Sequence, residues 1–242
     1  MRIDQRLNSM GPSKMRRRVF RVFLLSLLTS GLIACGGADD PVPVMIVDAD
    51  GVSTFNADGL ATKLATYPAS ALSTEEADSL AYLREEEQLA HDVYAVSAAL
   101  WDIPIFVNIG EAEATHSAAV KTLLDRYQLP DPLAGLPNGT FKTPEFQSLY
   151  DILAATSSIS LIEALRVGAQ IEELDMVDIA EQAASIDNAD ILMVYGHLLR
   201  GSRNHLRAFM KVLIKEGGTY VPQYLTQAEF DAIVNSPVET GP

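Results

Sequence analysis

The sequence predicts an all-α fold, a four-helix bundle with a short helix in the crossover and a short C-terminal helix. Three observations predict it. Four long runs keep their apolar residues on one stripe at helical spacing. The runs open on helix-start signals, and no alternating strand pattern of useful length occurs after residue 73.

The elements follow in order. Ser73-Thr-Glu-Glu76 is a capping box ahead of a run to about Trp101, whose stripe is Leu80, Leu83, Glu87, Ala90, Tyr94 and Ala98. Pro104 opens a second helix ending near Tyr127, with Ile109, Glu113, His116, Val120, Leu123 and Tyr127 on one face. A Pro- and Gly-rich loop from Leu129 to Gly139 leads to Thr143-Pro144 and a short helix to about Ala155. Ser160-Leu-Ile-Glu163 opens the third long helix, to about Ser185, with the stripe Leu161, Leu165, Gly168, Glu172, Asp175 and Ile179. Asp187 is the expected cap of the fourth, to about Glu216, with Ile191, Tyr195, Leu198, Ser202, His205, Phe209 and Val212. Thr226-Gln-Ala-Glu229 caps the terminal helix. The helical domain therefore spans 73–236.

Each long stripe is interrupted near its middle by groups that ligate metals: Glu87, then Glu113 with His116, then Glu172, then His205. Residues three apart on a helix share a face at about 5 to 6 Å between Cβ atoms, so Glu113 and His116 project together onto the buried stripe. A buried, unpaired carboxylate costs several kcal/mol, and a bound cation supplies its partner. Ferritin-like di-metal bundles use a Glu from each of two helices and a Glu-x-x-His from each of the other two. The fourth helix departs from that pattern, because Ser202 stands where its carboxylate would be. Three Glu with two neutral His leave two divalent cations short of negative charge, so Glu173, Asp175 or a hydroxide would have to join, or the site is mononuclear or asymmetric. Iron or manganese suits these donors, and zinc is admissible.

The neighbouring polar residues are read more plainly. Glu85 and Glu86 lie off the apolar stripe and read as a solvated face; Glu173 points about 100° from Glu172, the favoured ligand. His91 reads as a surface residue and His197 as non-functional. Tyr94 and Tyr195 read as core aromatics whose hydroxyls could support the site. Gly201 in mid-helix costs about 1 kcal/mol against Ala, which predicts a close approach beside the site.

Ahead of the helices, Arg16, Arg17, Arg18 and Arg21 precede an apolar run from Val22 to Ala34 that ends on Cys35, the only cysteine. The run is too short and interrupted for a spanning helix, which needs about 20 apolar residues, and it has the layout of a secretory signal. Leu32-Ile33-Ala34-Cys35 resembles a bacterial lipobox, which implies cleavage after 34, lipidation of Cys35 and membrane attachment through that lipid. Gly36, in place of Asp, then implies a periplasm-facing lipoprotein of the outer membrane. Residues 35–72 read as a tether and lead-in with one short strand at 44–47. Residues 1–34 hold seven of the 18 basic residues and one of the 32 acidic ones, so the remainder has 11 basic and 31 acidic groups, net −20. Nucleic acid is thereby disfavoured as a partner.

Glu87-Gln-Leu-Ala90-His-Asp-Val-Tyr94 resembles the first-helix motif of rubrerythrins, and Glu113-Ala-Thr-His116 is similar to their second-helix ligand pair. More closely, Arg84-Glu-Glu-Glu87, Ile171-Glu-Glu-Leu-Asp175 and Gly201-Ser-Arg-Asn-His-Leu-Arg-Ala-Phe209 resemble the ferritin-like proteins of domain of unknown function 2202, over about 74–235. The resemblance implies a ferritin-like four-helix bundle. Rubrerythrins use a di-iron centre to reduce peroxide and pass electrons through a rubredoxin-type Cys site. Cys35 alone cannot form one, so an external electron donor would be needed. The functional expectation is a non-haem di-iron or di-manganese oxidoreductase acting on peroxide or dioxygen, with Glu87, Glu113, His116, Glu172 and His205 as ligands. The alternatives are a metal-binding or storage module without turnover, and a metal-free bundle serving protein contacts. A homodimer is compatible with each.

Overall fold

A computed structural model describes residues 42–241. The expected signal segment and Cys35 lie outside those residues. Among the described residues the chain forms seven helices and one two-stranded sheet, and no helix is long and apolar enough to cross a membrane.

The first elements are β1 (Met45–Val47) and β2 (Ser53–Phe55), paired antiparallel with Met45 opposite Phe55. Helix α1 (Ala57–Leu64) follows, capped by the Asn56 side chain on Gly59 N–H. The long helices are α2 (Thr74–Leu100), α3 (Pro104–Arg126), α5 (Leu161–Ala183) and α6 (Ala189–Lys215), with α4 (Pro144–Ser157) in the crossover and α7 (Gln227–Val234) near the end. The capping boxes at Ser73 and Thr226 are complete, and Ser160 caps Glu163 N–H. The cap of α6 is Asn188, one residue beyond the expected Asp187.

Helix α2 packs along α3 and α5 along α6, and the two pairs meet through α2 against α5 and α3 against α6. Their apolar stripes are buried in two clusters. Leu80, Leu83, Ile109, Leu123, Leu165, Leu198 and Phe209 are fully buried there. At about 25 cal/mol per Å² of apolar surface, this burial is the main favourable contribution.

The stretch read as a tether contains more structure than its sequence suggested. The strand expected at 44–47 is present as β1, but a second strand and a helix follow it, and Met45, Phe55, Leu60 and Leu64 are buried against the long helices. The turn is held by Asp48, whose side chain accepts from Asp50 N–H and Val52 N–H at 2.9 Å each, and Gly51 takes the positive φ of 91° that the turn needs. Asp50-Gly51 between short apolar runs is a hairpin signal that identifies this turn.

Candidate metal centre

The five residues singled out on the stripes converge at mid-height between the long helices. Glu87 comes from α2, Glu113 and His116 from α3, Glu172 from α5 and His205 from α6, and none is more than 1% exposed. Glu113 lies between the two imidazoles. Its Oε1 is 2.7 Å from His205 Nδ1 and its Oε2 is 2.9 Å from His116 Nδ1. Glu87 Oε2 lies 3.4 Å from His116 Nδ1, and Glu172 Oε2 lies 3.6 Å from His205 Nδ1. The imidazoles stack with centroids 5.3 Å apart and planes 12° from parallel. One ligand atom from each of Glu113, His116 and His205 lies within 4.8 Å of the others, so this triad could hold a metal ion.

The polar atoms here are not satisfied by one another. Glu87 Oε1, Glu113 Oε2, Glu172 Oε2 and His116 Nδ1 are buried without a hydrogen-bond partner. Glu113 Oε2 and His116 Nδ1 lie only 2.9 Å apart. With His205 Nδ1 and Tyr94 Oη the hydrogen-bond partners of only one oxygen each on Glu113 and Glu172, the remaining crowded acceptors fit a cation: two imidazoles and three carboxylates suit a borderline or hard divalent metal.

Electrostatics gives the same picture in terms of protons. Burial pushes Glu87 up to about 8, against the opposing effect of His116. Burial, then the charge on Glu113, pushes Glu172 up to about 7. Burial also acts to raise Glu113, but the adjacent histidines prevail and hold it well below the ordinary carboxylate range. His205 is lowered by burial and pushed up to about 9 by Glu113 and Glu172. Without a cation, the centre must hold protons to keep its carboxylates buried.

Several neighbours complete the site. Tyr94 Oη donates to Glu172 Oε1 at 2.7 Å, the supporting role read for it, whereas Tyr195 Oη pairs with Ser79 Oγ at 2.6 Å and makes no bond to the five. A Cβ on Gly201 would stand 2.6 Å from His116 Cε1, which is the close approach its mid-helix position predicted. Ser202 Oγ donates to Leu198 O at 3.2 Å and so turns away from the centre. His91 is half-buried against Asp92, and His197 bonds Arg200 away from the site.

One expectation is corrected, for Glu85 and Glu86, and the preference for Glu172 over Glu173 stands. Glu85 and Glu86 are not solvated: both are buried, because the side of α2 away from its stripe is also covered. Glu85 accepts Lys142 N–H at 2.8 Å and Thr143 N–H at 3.0 Å ahead of α4. Glu173 is buried as completely as Glu172 but faces the C-terminal segment, accepting Tyr220 O–H at 2.6 Å and Gln223 N–H at 2.7 Å.

Sequence reasoning missed Ser53 altogether. His116 Nε2 donates to Ser53 O at 2.7 Å, and Ser53 N–H donates to His205 Nε2 at 3.2 Å. The strand is fixed by Asn204 Nδ2 to Ser53 Oγ at 3.0 Å, by Phe55 N–H to Thr115 Oγ1 at 2.9 Å, and by the Phe55 ring set edge-on to His116.

A sequence model of the family described as "Uncharacterized protein domain (DUF2202)" matches residues 76–237. The uncharacterized protein MJ0754 of Methanocaldococcus jannaschii is 43% identical over 178 residues, covering 74% of this chain and 96% of that protein. The crystal structure of hypothetical protein MJ0754 from Methanococcus jannaschii superposes with a TM-score of 0.69 at 44% identity, covering 71% of this chain and 98% of that one.

Proposed function

Since the chain belongs to the DUF2202 family, whose description names no activity, its function has to be read from its own centre, and we propose that it is a non-haem iron or manganese protein. In this reading the four long helices form a ferritin-like four-helix bundle, and Glu87, Glu113, His116, Glu172 and His205 surround the metal. The reaction it supports is oxidation–reduction of peroxide or dioxygen, with electrons from a separate donor. The carrying observation is the convergence of three buried carboxylates and two imidazoles from four helices, with Glu87 Oε1, Glu113 Oε2, His116 Nδ1 and Glu172 Oε2 left without a hydrogen-bond partner. Buried oxygens without a partner also occur outside the five, on Glu86, Glu173 and Asp175, so it is the convergence of carboxylates on two imidazoles, and not the missing partner alone, that marks the centre.

Complete burial of the ligands favours a second reading, a metal-binding module without turnover. Addition of peroxide to the metal-loaded protein separates the two, because only the redox-active form changes its optical spectrum. Both readings place the domain in the cell envelope, anchored by a lipid on Cys35. Cys35→Ser should then move the protein from the membrane fraction to the soluble one.

Metal analysis tests the centre itself. Protein expressed with supplemented iron or manganese should retain about one equivalent or more after purification, since a site of this donor number holds metal through dilution. Less than about a tenth of an equivalent of iron, manganese or zinc overturns the reading.

A further inference from the structure

Strand β2 meets the centre through the backbone of one residue, and it treats the two histidines differently. The Ser53 carbonyl can only accept, so His116 Nε2 carries a hydrogen and donates it across 2.7 Å. The Ser53 amide can only donate, so His205 Nε2 is bare and accepts across 3.2 Å. Once a cation takes the place of the protons held by the metal-free centre, each imidazole is neutral and has one N–H. His116 therefore turns a bare Nδ1 toward Glu87 and Glu113, while His205 carries its hydrogen on Nδ1 and donates it to Glu113 Oε1 at 2.7 Å.

Only a bare nitrogen ligates a cation. A ligating histidine ordinarily donates its other N–H to a carboxylate or backbone carbonyl, and His116 with Ser53 O has that arrangement. His205 has the opposite one. For its Nδ1 to ligate, the hydrogen would have to sit on Nε2, and two N–H groups would face each other across 3.2 Å. The obstacle is backbone of a fully buried residue, anchored by Asn204 and by the pairing of Ser53 with Val47. Ser202 points the same way from a separate observation, since its hydroxyl is turned to Leu198 O. Helix α6 thus offers neither a carboxylate nor a free imidazole.

We propose that the β-hairpin makes the centre asymmetric: with β2 docked, one divalent cation binds on the Glu87, Glu113 and His116 side, and His205 serves as a hydrogen-bond donor to Glu113 instead of a second metal ligand. The inference rests on the metal-centre reading above and sets its stoichiometry. It makes Ser53 a positioning residue for both imidazoles. Occupation of the His205 side requires β2 to give up its amide contact.

The test is titration of the metal-free full chain with Mn(II) alone, followed by calorimetry and by electron paramagnetic resonance. One tight equivalent is expected, with an uncoupled Mn(II) signal. His116→Gln should weaken it by more than about 100-fold, and His205→Gln, which keeps a donor group, by about threefold or less. Ser53→Pro removes the amide hydrogen and keeps the carbonyl; the folded variant should take a second equivalent. Two equivalents of like affinity in the unmodified chain, or equal losses from the two histidine variants, overturn the asymmetry while leaving the centre standing. A folded Ser53→Pro protein that still takes one equivalent also overturns it. No Mn(II) bound by the unmodified chain overturns the centre and the asymmetry together.

Discussion

Glu85 and Glu87 are two residues apart on one helix and equally buried, yet their surroundings are opposite. Glu85 meets donors from the loop ahead of α4, at Lys142 N–H and Thr143 N–H. Glu87 meets Glu113, His116 and no hydrogen-bond donor for Oε1. Glu172 and Glu173 repeat the contrast one helix pair away, with Glu173 held by Tyr220 and Gln223. Glu76 belongs with the satisfied group, taking Asp187 N–H at 3.0 Å and Asn188 N–H at 2.9 Å. Burial of an acid is therefore not the mark of the centre in this protein. Nor is a missing donor alone, since Glu86, Glu173 and Asp175 also have buried oxygens without a partner; the mark is three such acids gathered around two imidazoles, which folding alone does not reward.

The sharpest way to break this contrast is to remove one acid of each kind. Glu85→Ala deprives two backbone N–H groups and the Thr143 hydroxyl of their acceptor, and Lys142 is exposed enough for water to replace part of the loss. A destabilisation of about 3 kcal/mol is expected in urea unfolding of the metal-free protein, with metal content per folded molecule unchanged. Glu87→Gln should do the reverse: metal-free stability equal or higher, because a buried unsatisfied acid is gone, and Mn(II) affinity lower by about 10- to 100-fold. If both variants lose stability alike, the distinction between structural and central acids fails.

A pH series run with and without metal reports on the centre without mutation. Glu87 and Glu172 have folded pKa values raised to about 8 and about 7, so between the ordinary carboxylate value and those limits the folded chain holds protons that the unfolded chain has released. Stability of the metal-free protein should then fall as pH rises from 5 to 8, by several kcal/mol, and Glu86, Glu173 and Asp175, which burial also raises, add to the fall. Glu113 is shifted down, and its contribution is lost only on acidification below the ordinary carboxylate range, outside this window. Saturating Mn(II) replaces the protons and should flatten the slope of melting temperature against pH. A slope that survives metal saturation would assign it to groups outside the centre.

The helical fold and the gathering of five polar residues from four helices were legible because both rest on side-chain periodicity: Glu87, Glu113, Glu172 and His205 interrupt apolar stripes, and a stripe position predicts an inward direction. Glu85 and Glu86 were misread because a run of three acids looks solvated until the loop at 139–143 and helix α5 cover the remaining sides of α2, and that covering comes from residues far along the chain. Ser53 was illegible for a different reason. It acts through its N–H and C=O, which every residue but proline has, so no side-chain pattern announces it. Asp50-Gly51 is a turn signal that the reading of 35–72 as a tether left unused.

Gly201 tests how tightly the centre is held. Gly201→Ala places a methyl where His116 Cε1 is 2.6 Å and Nε2 3.0 Å away, and a buried ring between two carboxylates and Ser53 has little room to retreat. Overpacking of about 1 to 2 kcal/mol is expected, together with weaker Mn(II) binding as the imidazole is displaced. Stability and affinity should fall together here, unlike in Glu85→Ala, where only stability falls.

The smallest effect belongs to the two buried tyrosines, which give a matched pair. Tyr94→Phe removes the donor to Glu172 Oε1, leaving both oxygens of that acid unsatisfied, and should cost about 1 kcal/mol in the metal-free protein. It should also weaken Mn(II) by about tenfold, because the tyrosine hydroxyl fixes which oxygen of Glu172 faces the centre. Tyr195→Phe breaks the bond to Ser79 and should cost stability of the same order, with Mn(II) affinity unchanged, since that hydroxyl makes no bond to any of the five residues. The two rings are equally buried and lose the same atom, so a difference in metal affinity between them can only come from what the hydroxyl faces. That is the contrast between Glu85 and Glu87 again, reduced to a single oxygen.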